Sequence, residues 1–343
     1  MRVKSMRKGV LALISAACLL ALAPGAVQAV EMQIRSELTN EWIDGSLEAQ
    51  RPVAVMVDNE SIALPHYGTA EGDIVYELMN SLENNRISRL MILVKDWGKI
   101  SQMGSIRSTR TSNIPLAGEW NAVLVHDGGP FYVNDYFAKP YAAQHFSGDF
   151  SRVNNGKAVE FTEYVMAGDL DSKFNATGFT RTYNEFRNED TTHFNFASEE
   201  APIYLSSLYA DAFSAQEISL PFYHNGSTLR YNAQTGTYDY YEYGSIHADA
   251  EDGQVMTFKN LLIQDCAYES LDANGYMNYI LVENGRPGYY ITNGEAVPIT
   301  WTKSGETDLT RYYDMSGNEI TINTGKTYIA LVPDDTWSEV SIG

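Results

Sequence analysis

Two arginines lie close together in a stretch rich in hydroxyl groups, GSIRSTRTSN, from Gly104 to Asn113. Arg107 and Arg110 each carry a planar guanidinium whose donors suit the oxygens of phosphate and carboxylate groups. If the segment opens a helix, the spacing places both guanidinium groups on one face, with Ser108 between the two arginines in sequence, near free backbone N–H groups. If it is a strand, they lie on opposite faces and cannot share a site. We favour the helix start and expect an anion site. The alternative is that each arginine pairs with a local carboxylate and only supports the fold.

Polar residues at the ends of apolar runs are further candidate ligand groups. Asp58 ends the strand-like run VAVMVDN, where open sheets place ligand-binding groups. His126 ends NAVLVH just before two glycines that would let a ligand approach closely, although a packing or capping role fits it equally well. Arg89 opens the apolar run RLMILVK. The remaining candidates, all from less regular segments, are Asp73, Glu77 and His193.

Familiar metal and nucleotide motifs are missing from the sequence. No two histidines have the spacing of metal ligands on one helix, and no cysteines cluster, so we predict no metal site. The GxSxG, HExxH and GxxxxGK[ST] patterns do not occur either. The sequence therefore gives no support for a serine hydrolase, a zinc protease or an ATP-driven enzyme, and we predict no cofactor.

The N-terminus predicts export. Four basic residues precede the apolar run from Gly9 to Leu22, and a small residue, Ala29, follows a Pro-Gly break. This order is typical of a secretory signal peptide, residues 1–29. The formal net charge is −20, and loss of four positive charges with the signal makes it −24. Such a charge argues against nucleic acid or anionic membrane surfaces as partners. No later run is long and apolar enough for a transmembrane segment. We expect a secreted or extracytoplasmic cell-envelope protein.

The two cysteines bear on anchoring and on disulfides. Lipoprotein signals need a Leu-like residue three positions before the acylated cysteine, but Ser15 precedes Cys18, and the apolar run continues to Leu22. We therefore interpret Cys18 as an ordinary signal-peptide residue. Cys266 would then be the single cysteine of the mature chain, which excludes an intrachain disulfide. Its strand-like surroundings, LLIQDCAYE, predict a buried, unreactive thiol.

The apolar patterns divide the mature chain into two domains after a linker at residues 30–50. Residues 51–201 predict an α/β (α+β) domain with a mixed central sheet, in which a strand, a turn, a helix and a strand form a βαβ unit. Residues 202–343 alternate in short Tyr- and Thr-rich runs, which predicts a smaller, mainly antiparallel β domain ending in a hairpin, EITINTGKTYIALV. The expected strands of the central sheet are Val53 to Val57, Leu90 to Val94 and Ala122 to Val125.

An ordered set of short motifs resembles the YerB-like bacterial lipoprotein family, whose N- and C-terminal domains have no established function. The matching motifs are RPVAVMVDN, GDIVYE, ISRLMIL, MGSIRSTR, VLVHDGG, IHAD, FKNLLI, YYITNG, ITWTK and DMSGNEITINTGKTYIALVP. The resemblance implies a mixed α/β domain joined to a smaller β-rich domain on the outer face of the membrane, and it implies no reaction. Members usually carry a lipid-anchor cysteine, whereas Cys18 does not fit that role well, so a lipid anchor is not expected here. Thr192-His193-Phe194 also replaces the family's Pro-His-Asn run.

Three functions remain open from the sequence. We favour a non-enzymatic envelope protein that binds an anionic cell-wall ligand, or a partner protein, through an arginine-lined cleft. The alternative is a phosphoryl- or glycosyl-transfer enzyme that uses the same arginine pair, with Asp73 or Glu77 as base or metal ligand. A third hypothesis makes the arginines a structural clamp between the two domains.

The signal peptide generates the first prediction. Cleavage after Ala29 should leave a mature chain that begins at Val30, because Ala29 ends the small-residue cleavage motif. Intact-mass measurement of the protein recovered outside the producing cell tests this. A diacylglyceryl-modified N-terminus at Cys18 would contradict it.

Overall fold

Strands dominate the computed structural model, which describes residues 32–190 and 192–343. The predicted signal peptide lies outside the described residues. The α-helices of the described chain are α1, Asn113–Glu119, α2, Val133–Phe137, and α3, Asp169–Thr177. The strands up to residue 201 are β1 (Gln33–Arg35), β2 (Trp42–Asp44), β3 (Val53–Asp58), β4 (Ile74–Met79), β5 (Ser88–Val94), β6 (Gln102–Gly104), β7 (Val123–His126), β8 (His145–Ser147), β9 (Ser151–Arg152), β10 (Glu163–Met166) and β11 (Asn195–Phe196).

The later part of the chain is also built of strands. These are β12 (Phe213–Ser214), β13 (Glu217–Ser219), β14 (Thr228–Asn232), β15 (Thr237–Glu242), β16 (Ser245–Ile246), β17 (Thr257–Phe258), β18 (Asn260–Cys266), β19 (Tyr268–Ser270), β20 (Met277–Tyr279), β21 (Glu283–Thr292), β22 (Glu295–Lys303), β23 (Arg311–Tyr313), β24 (Thr321–Ile322), β25 (Thr327–Pro333) and β26 (Ser341–Ile342).

One mixed sheet of 11 strands, which we call the main sheet, runs through both parts of the chain. Its order is β12-β22-β21-β18-β25-β4-β5-β3-β7-β8, with β23 paired to β22. The three predicted strands are confirmed as β3, β5 and β7 of this sheet. β25 lies parallel to both β18 and β4, so it joins the C-terminal strands to the N-terminal ones. The domain boundary near residue 202 therefore crosses a continuous sheet, and it stays a prediction.

Both faces of the main sheet are covered, which explains its long apolar strands. On one face, Val55 and Ile92 pack in a core that includes Leu229 and Tyr240 of a second, six-stranded sheet. This smaller sheet, β16-β15-β14-β13-β26 with β17, is antiparallel throughout, as predicted for the later part of the chain. On the other face, Met56 and neighbouring residues pack with apolar residues of α1 and with Trp120, which follows this helix.

The α/β label fits the structure only loosely, because the helices are short and few in the described residues. The expected βαβ unit leading from β5 through α1 to β7 is wrong. β3 lies between these two strands, antiparallel to β5 and parallel to β7. A βαβ arrangement occurs one step later, where α2 connects the parallel neighbours β7 and β8.

The predicted final hairpin is also wrong. β24 pairs with β11, whereas β25 lies at the centre of the main sheet between β18 and β4. All seven residues of β25 are buried. Its alternating residues therefore face the cores on the two sides of the sheet, and neither side of the strand faces solvent. Cys266, at the end of β18, is buried as predicted, and burial raises the pKa of its thiol.

A buried ion pair links α1 to the C-terminal strands and generates the second prediction. Lys303 Nζ of β22 lies 2.7 Å from Glu119 Oε2, and both side chains are almost fully buried. Lys303→Met removes the permanently charged partner of buried Glu119 and leaves it beside His193, whose own pKa burial lowers, so the free energy of unfolding should fall by about 3–5 kcal/mol. Urea denaturation at pH 7 measures this loss.

The matched control is Lys99→Met, because the side chain of Lys99 is 77% exposed although it pairs with Asp96 at a similar distance. This change should stay within about 0.5 kcal/mol of wild type. Equal losses in the two variants would show that the buried ion pair contributes no more to the free energy of unfolding than the exposed one.

Candidate functional site

The arginine segment is extended rather than helical. The Arg107 N–H donates to Met56 O at 2.9 Å on β3, and the Thr109 N–H donates to Gly128 O at 3.1 Å beyond β7. The predicted helix start is therefore wrong, since α1 begins only at Asn113. The ends of β3 and β7 already engage the backbone groups that a helical turn would need.

Asp58, at the end of β3, holds two guanidinium groups. Arg107 Nε lies 2.5 Å from Asp58 Oδ2, and Arg89 Nη2 lies 3.7 Å from the same oxygen. Arg89 faces Asp58 across the β3–β5 pairing, and its Nη1 donates to Ser108 O at 2.7 Å. Asp58 is fully buried, and the Arg89 side chain is only 4% exposed. The Asp58 carboxylate thus compensates the charges of both Arg89 and Arg107 at a position with little access to water.

Arg110 adds a third cation to this group. Its Nε and Nη1 donate to the carbonyl oxygens of Asn80 and Thr109, and its guanidinium lies 5.2 Å from the ring centre of Tyr276. In the described part of the chain it has no carboxylate within ion-pair distance. Burial, together with repulsion from Arg89, lowers the pKa of Arg110 to about 9. We call Arg89, Arg107, Arg110 and Asp58 the arginine cluster; its formal charge surplus is two.

The arginine cluster opens to solvent along one side. The Arg107 side chain is 23% exposed and lies 5.0 Å from the ring centre of Phe161. Ser108 and Arg110 are half-buried, whereas Gly128 is exposed. Aromatic rings continue from Tyr276 along this side to Tyr132 and to Phe131, which is 70% exposed. Cationic and aromatic side chains are thus prominent on the side that water reaches.

His126 ends β7, as predicted, and its ring is hydrogen bonded at both nitrogens. Nδ1 lies 2.8 Å from Gly128 O and so donates, which leaves Nε2 to accept from His145 Nδ1 at 2.9 Å. Both rings stack on Phe137. Burial lowers the pKa of His126 to about 4, so it is neutral at pH 7. His126 therefore adds no cation to the arginine cluster.

Three predicted site residues lie elsewhere. Glu77 is on the opposite face of the main sheet, in a closed hydrogen-bond network with Ser227, just before β14, and with residues of β15 and β25. Asp73 precedes β4, at the end of the sheet away from Asp58. His193 lies 2.8 Å from Glu119 and stacks on Trp120 with ring centres 3.5 Å apart. These residues do not join the arginine cluster.

Sequence reasoning missed several neighbours of the predicted residues. Asn80 follows β4, Tyr276 precedes β20, and His145 starts β8. Each comes from a polar or aromatic stretch with no periodic signal, and each reaches its place only through long-range strand pairing. No local pattern in the sequence marks them.

Comparison with known proteins places the chain in a family. Residues 38–180 match the N-terminal domain, and residues 218–329 the C-terminal domain, of a protein of unknown function, DUF3048. Together these two matches cover most of the chain. The chain belongs to the DUF3048 family. The arginine cluster lies inside the first match, whereas Tyr276 comes from the second.

A DUF3048 relative from Bacillus subtilis (strain 168), YerB, has a name that describes it as a candidate lipoprotein. It is 24% identical over 335 residues, which cover 92% of this chain and 88% of the relative. The crystal structure of Bacillus subtilis YerB superposes with a TM-score of 0.76 at 20% identity, over 90% of this chain and 99% of that one. The predicted family is thus confirmed, and the fold is shared. Among the described residues, no helix has the length and apolarity needed to cross a membrane.

Asp73, just before β4, generates the third prediction, because the pKa of its carboxyl group is strongly raised. Burial raises the pKa of Asp73 to about 7, against the effect of the Lys95 N–H, which donates to it at 2.6 Å. Its contribution to stability is fully present below about pH 4 and is lost as the pH rises through about 7. Asp73→Asn keeps an acceptor for Lys95 without the charge.

At pH 8 the Asp73→Asn variant should be more stable than wild type by about 1–3 kcal/mol, and at pH 4 the two should converge. Urea denaturation across this pH range measures both. The exposed Asp211 gives the control, Asp211→Asn, whose curve should follow wild type. Parallel curves for Asp73→Asn and wild type would contradict the assignment.

Proposed function

We propose that this DUF3048 chain is a non-enzymatic, extracytoplasmic envelope protein that binds a phosphate- or carboxylate-bearing ligand at the arginine cluster. The observation that carries the proposal is the charge surplus, since the cluster has three guanidiniums but one carboxylate, Asp58, which pairs with only Arg89 and Arg107. The proposed compartment rests on the predicted signal peptide and on the lipoprotein name of the Bacillus subtilis relative.

The excess positive charge of the arginine cluster lowers the stability of the native state, and a bound anion would offset this loss. Burial lowers the pKa of both Arg89 and Arg110, which means that the fold disfavours their charged forms. An anion between the forks would compensate both charges and could accept two parallel hydrogen bonds from one guanidinium. The chain carries a formal charge of −20, so the surrounding field repels an anion. Binding would therefore depend on short, directed contacts rather than on long-range steering.

Unpaired polar atoms around the arginine cluster support the same proposal. Among the described residues, three possible donors, Arg89 Nε, Ser105 Oγ and Thr111 Oγ1, are buried without a hydrogen-bond partner. Arg107 Nε, although close to Asp58, is not aligned for a hydrogen bond. Buried polar groups usually have partners, so such a concentration favours a ligand or ordered water at this place.

The alternative enzymatic function receives less support from the geometry. Its two candidate bases were Asp73, which lies at the other end of the sheet, and Glu77, which lies on the other face. Glu77 also accepts hydrogen bonds from Ser88, Asn225 and Ser227, so its oxygens are engaged. Neither carboxylate can reach a substrate held by Arg107 and Arg110.

Thermal unfolding with inorganic phosphate tests the proposal and gives the fourth prediction. Phosphate should raise the Tm of wild type above that in chloride of equal ionic strength, because a ligand of the native state stabilises it by about 2.7 kcal/mol at 100 Kd. Arg110→Gln should match or exceed wild type without phosphate, since a buried, uncompensated cation is removed, and should lose the phosphate effect. Arg107→Lys should weaken the effect, because lysine lacks the planar fork.

The matched control is Arg230→Gln, because Arg230 is 50% exposed and pairs with Glu217 on the smaller sheet. It should keep the full phosphate effect. An equal rise in phosphate and in chloride would reject the proposal, as would an Arg110→Gln variant that responds like wild type. A large loss of stability in Arg110→Gln without phosphate would instead assign Arg110 a structural role.

A further inference from the structure

Three potential metal ligands from distant parts of the sequence meet in the interior. His66 lies in the loop between β3 and β4, Glu242 ends β15, and His247 directly follows β16. One ligand atom from each residue lies within 4.8 Å of the others. The relative exposures of His66, Glu242 and His247 are 0%, 2% and 4%. We call these residues the His-Glu-His group.

The hydrogen bonds of this group are incomplete. His247 Nδ1 lies 2.6 Å from Glu242 Oε1, and its Nε2 lies 2.9 Å from Thr69 Oγ1. Both ring nitrogens of His66 and Glu242 Oε2 are buried and have no hydrogen-bond partner among the described residues. His66 Nδ1 faces Glu242 Oε1 at 4.0 Å. A fully buried imidazole with two unused nitrogens is costly unless something binds it.

We infer that His66, Glu242 and His247 form a binding site for a divalent transition-metal ion, with Zn²⁺ as the ion that fits best. Two imidazoles and a carboxylate are a ligand set that zinc accepts. In tetrahedral coordination, zinc ligands at their usual distance lie about 3.3 Å apart. The separations of 2.6 Å and 4.0 Å lie on either side of this value, so shifts below about 1 Å would complete the site.

The surroundings assign the ion a structural role. All three side chains are enclosed, so the described residues leave no open face through which a substrate could reach the ion. Thr69 Oγ1 can accept the Nε2–H of His247 and so leave Nδ1 free to coordinate, as outer partners of metal ligands commonly do. His66 belongs to the N-terminal family match, and the other two belong to the C-terminal one. The ion would therefore join the two family regions.

This inference does not depend on the proposed anion site. Its residues are distinct from the arginine cluster, and its test uses metal rather than phosphate. The sequence pattern instead predicted no metal site, because 176 positions separate His66 from Glu242 and the two C-terminal ligands do not share a helix.

The experiment uses the tag-free mature chain, stripped with a chelator and then given Zn²⁺ or Co²⁺ alone. Wild type should bind one ion per chain by elemental analysis, should show visible Co²⁺ absorption typical of low coordination number, and should have a higher Tm with Zn²⁺. His66→Gln should keep the Tm of the metal-free wild type, since the His66 ring makes no hydrogen bond, and should bind Zn²⁺ at least about tenfold more weakly.

The control is His224→Gln, whose ring is partly exposed and bonds only Asn84 O within the described chain. It should bind Zn²⁺ as wild type does. If His66→Gln does not fold, X-ray absorption of zinc-loaded wild type decides, because it should detect two imidazole ligands. The inference is overturned if wild type takes up no stoichiometric metal, if His66→Gln binds like wild type, or if the absorption spectrum lacks imidazole.

Discussion

A single buried carboxylate, Glu77, organises the contact between the two family regions. Its Oε1 accepts from Ser88 within the N-terminal part, and from Asn225 and Ser227 in the C-terminal part. Its Oε2 accepts from Tyr240 and Tyr328. Burial raises the pKa of Glu77 although these hydrogen bonds act in the opposite direction. The carboxylate is therefore tolerable only when both regions are in place around it, which makes their association a condition of the fold rather than a later docking step.

The association of the two family regions around Glu77 also determines how the main sheet is built. β25 carries Tyr328 to Glu77 and lies between β18 and β4, parallel to both. The sheet therefore places β3, β5 and β7 on one side of this junction and the C-terminal strands on the other. The arginine cluster forms where β3 ends, and Tyr276 from the C-terminal region covers Arg110. The arrangement of the cluster thus depends on the same association that Glu77 requires.

The local sequence pattern predicted some structural features of this chain correctly and others wrongly. The apolar runs of β3, β5 and β7 identified buried strands, because a strand covered on both faces needs apolar residues at every position. The same patterns did not reveal the partners of those strands, which is why the β5–α1–β7 unit and the final hairpin were wrong. At the site, Asp58, Arg89 and Arg107 were identifiable from strand ends and residue type. Asp73, Glu77 and His193 were grouped with them only because they are acids or histidines in the same region, and the sheet separates them.

The arginine cluster and the His-Glu-His group share a physical property that neither Glu77 nor the Glu119–Lys303 pair has. Glu77 is surrounded by donors, and Lys303 pairs with Glu119. Among the described residues, by contrast, Arg110 has no carboxylate partner and the ring nitrogens of His66 have no hydrogen-bond partner. Neither arrangement favours stability by itself, because a buried cation without a carboxylate and a buried imidazole without hydrogen bonds each cost free energy. The neighbours at each place suit one kind of ligand. The guanidiniums around Arg110 suit an anion, and the imidazole and carboxylate beside His66 suit a cation. Incomplete pairing at these two separate places is therefore the observation on which both proposals rest, an anion at the arginine cluster and a metal ion at the His-Glu-His group.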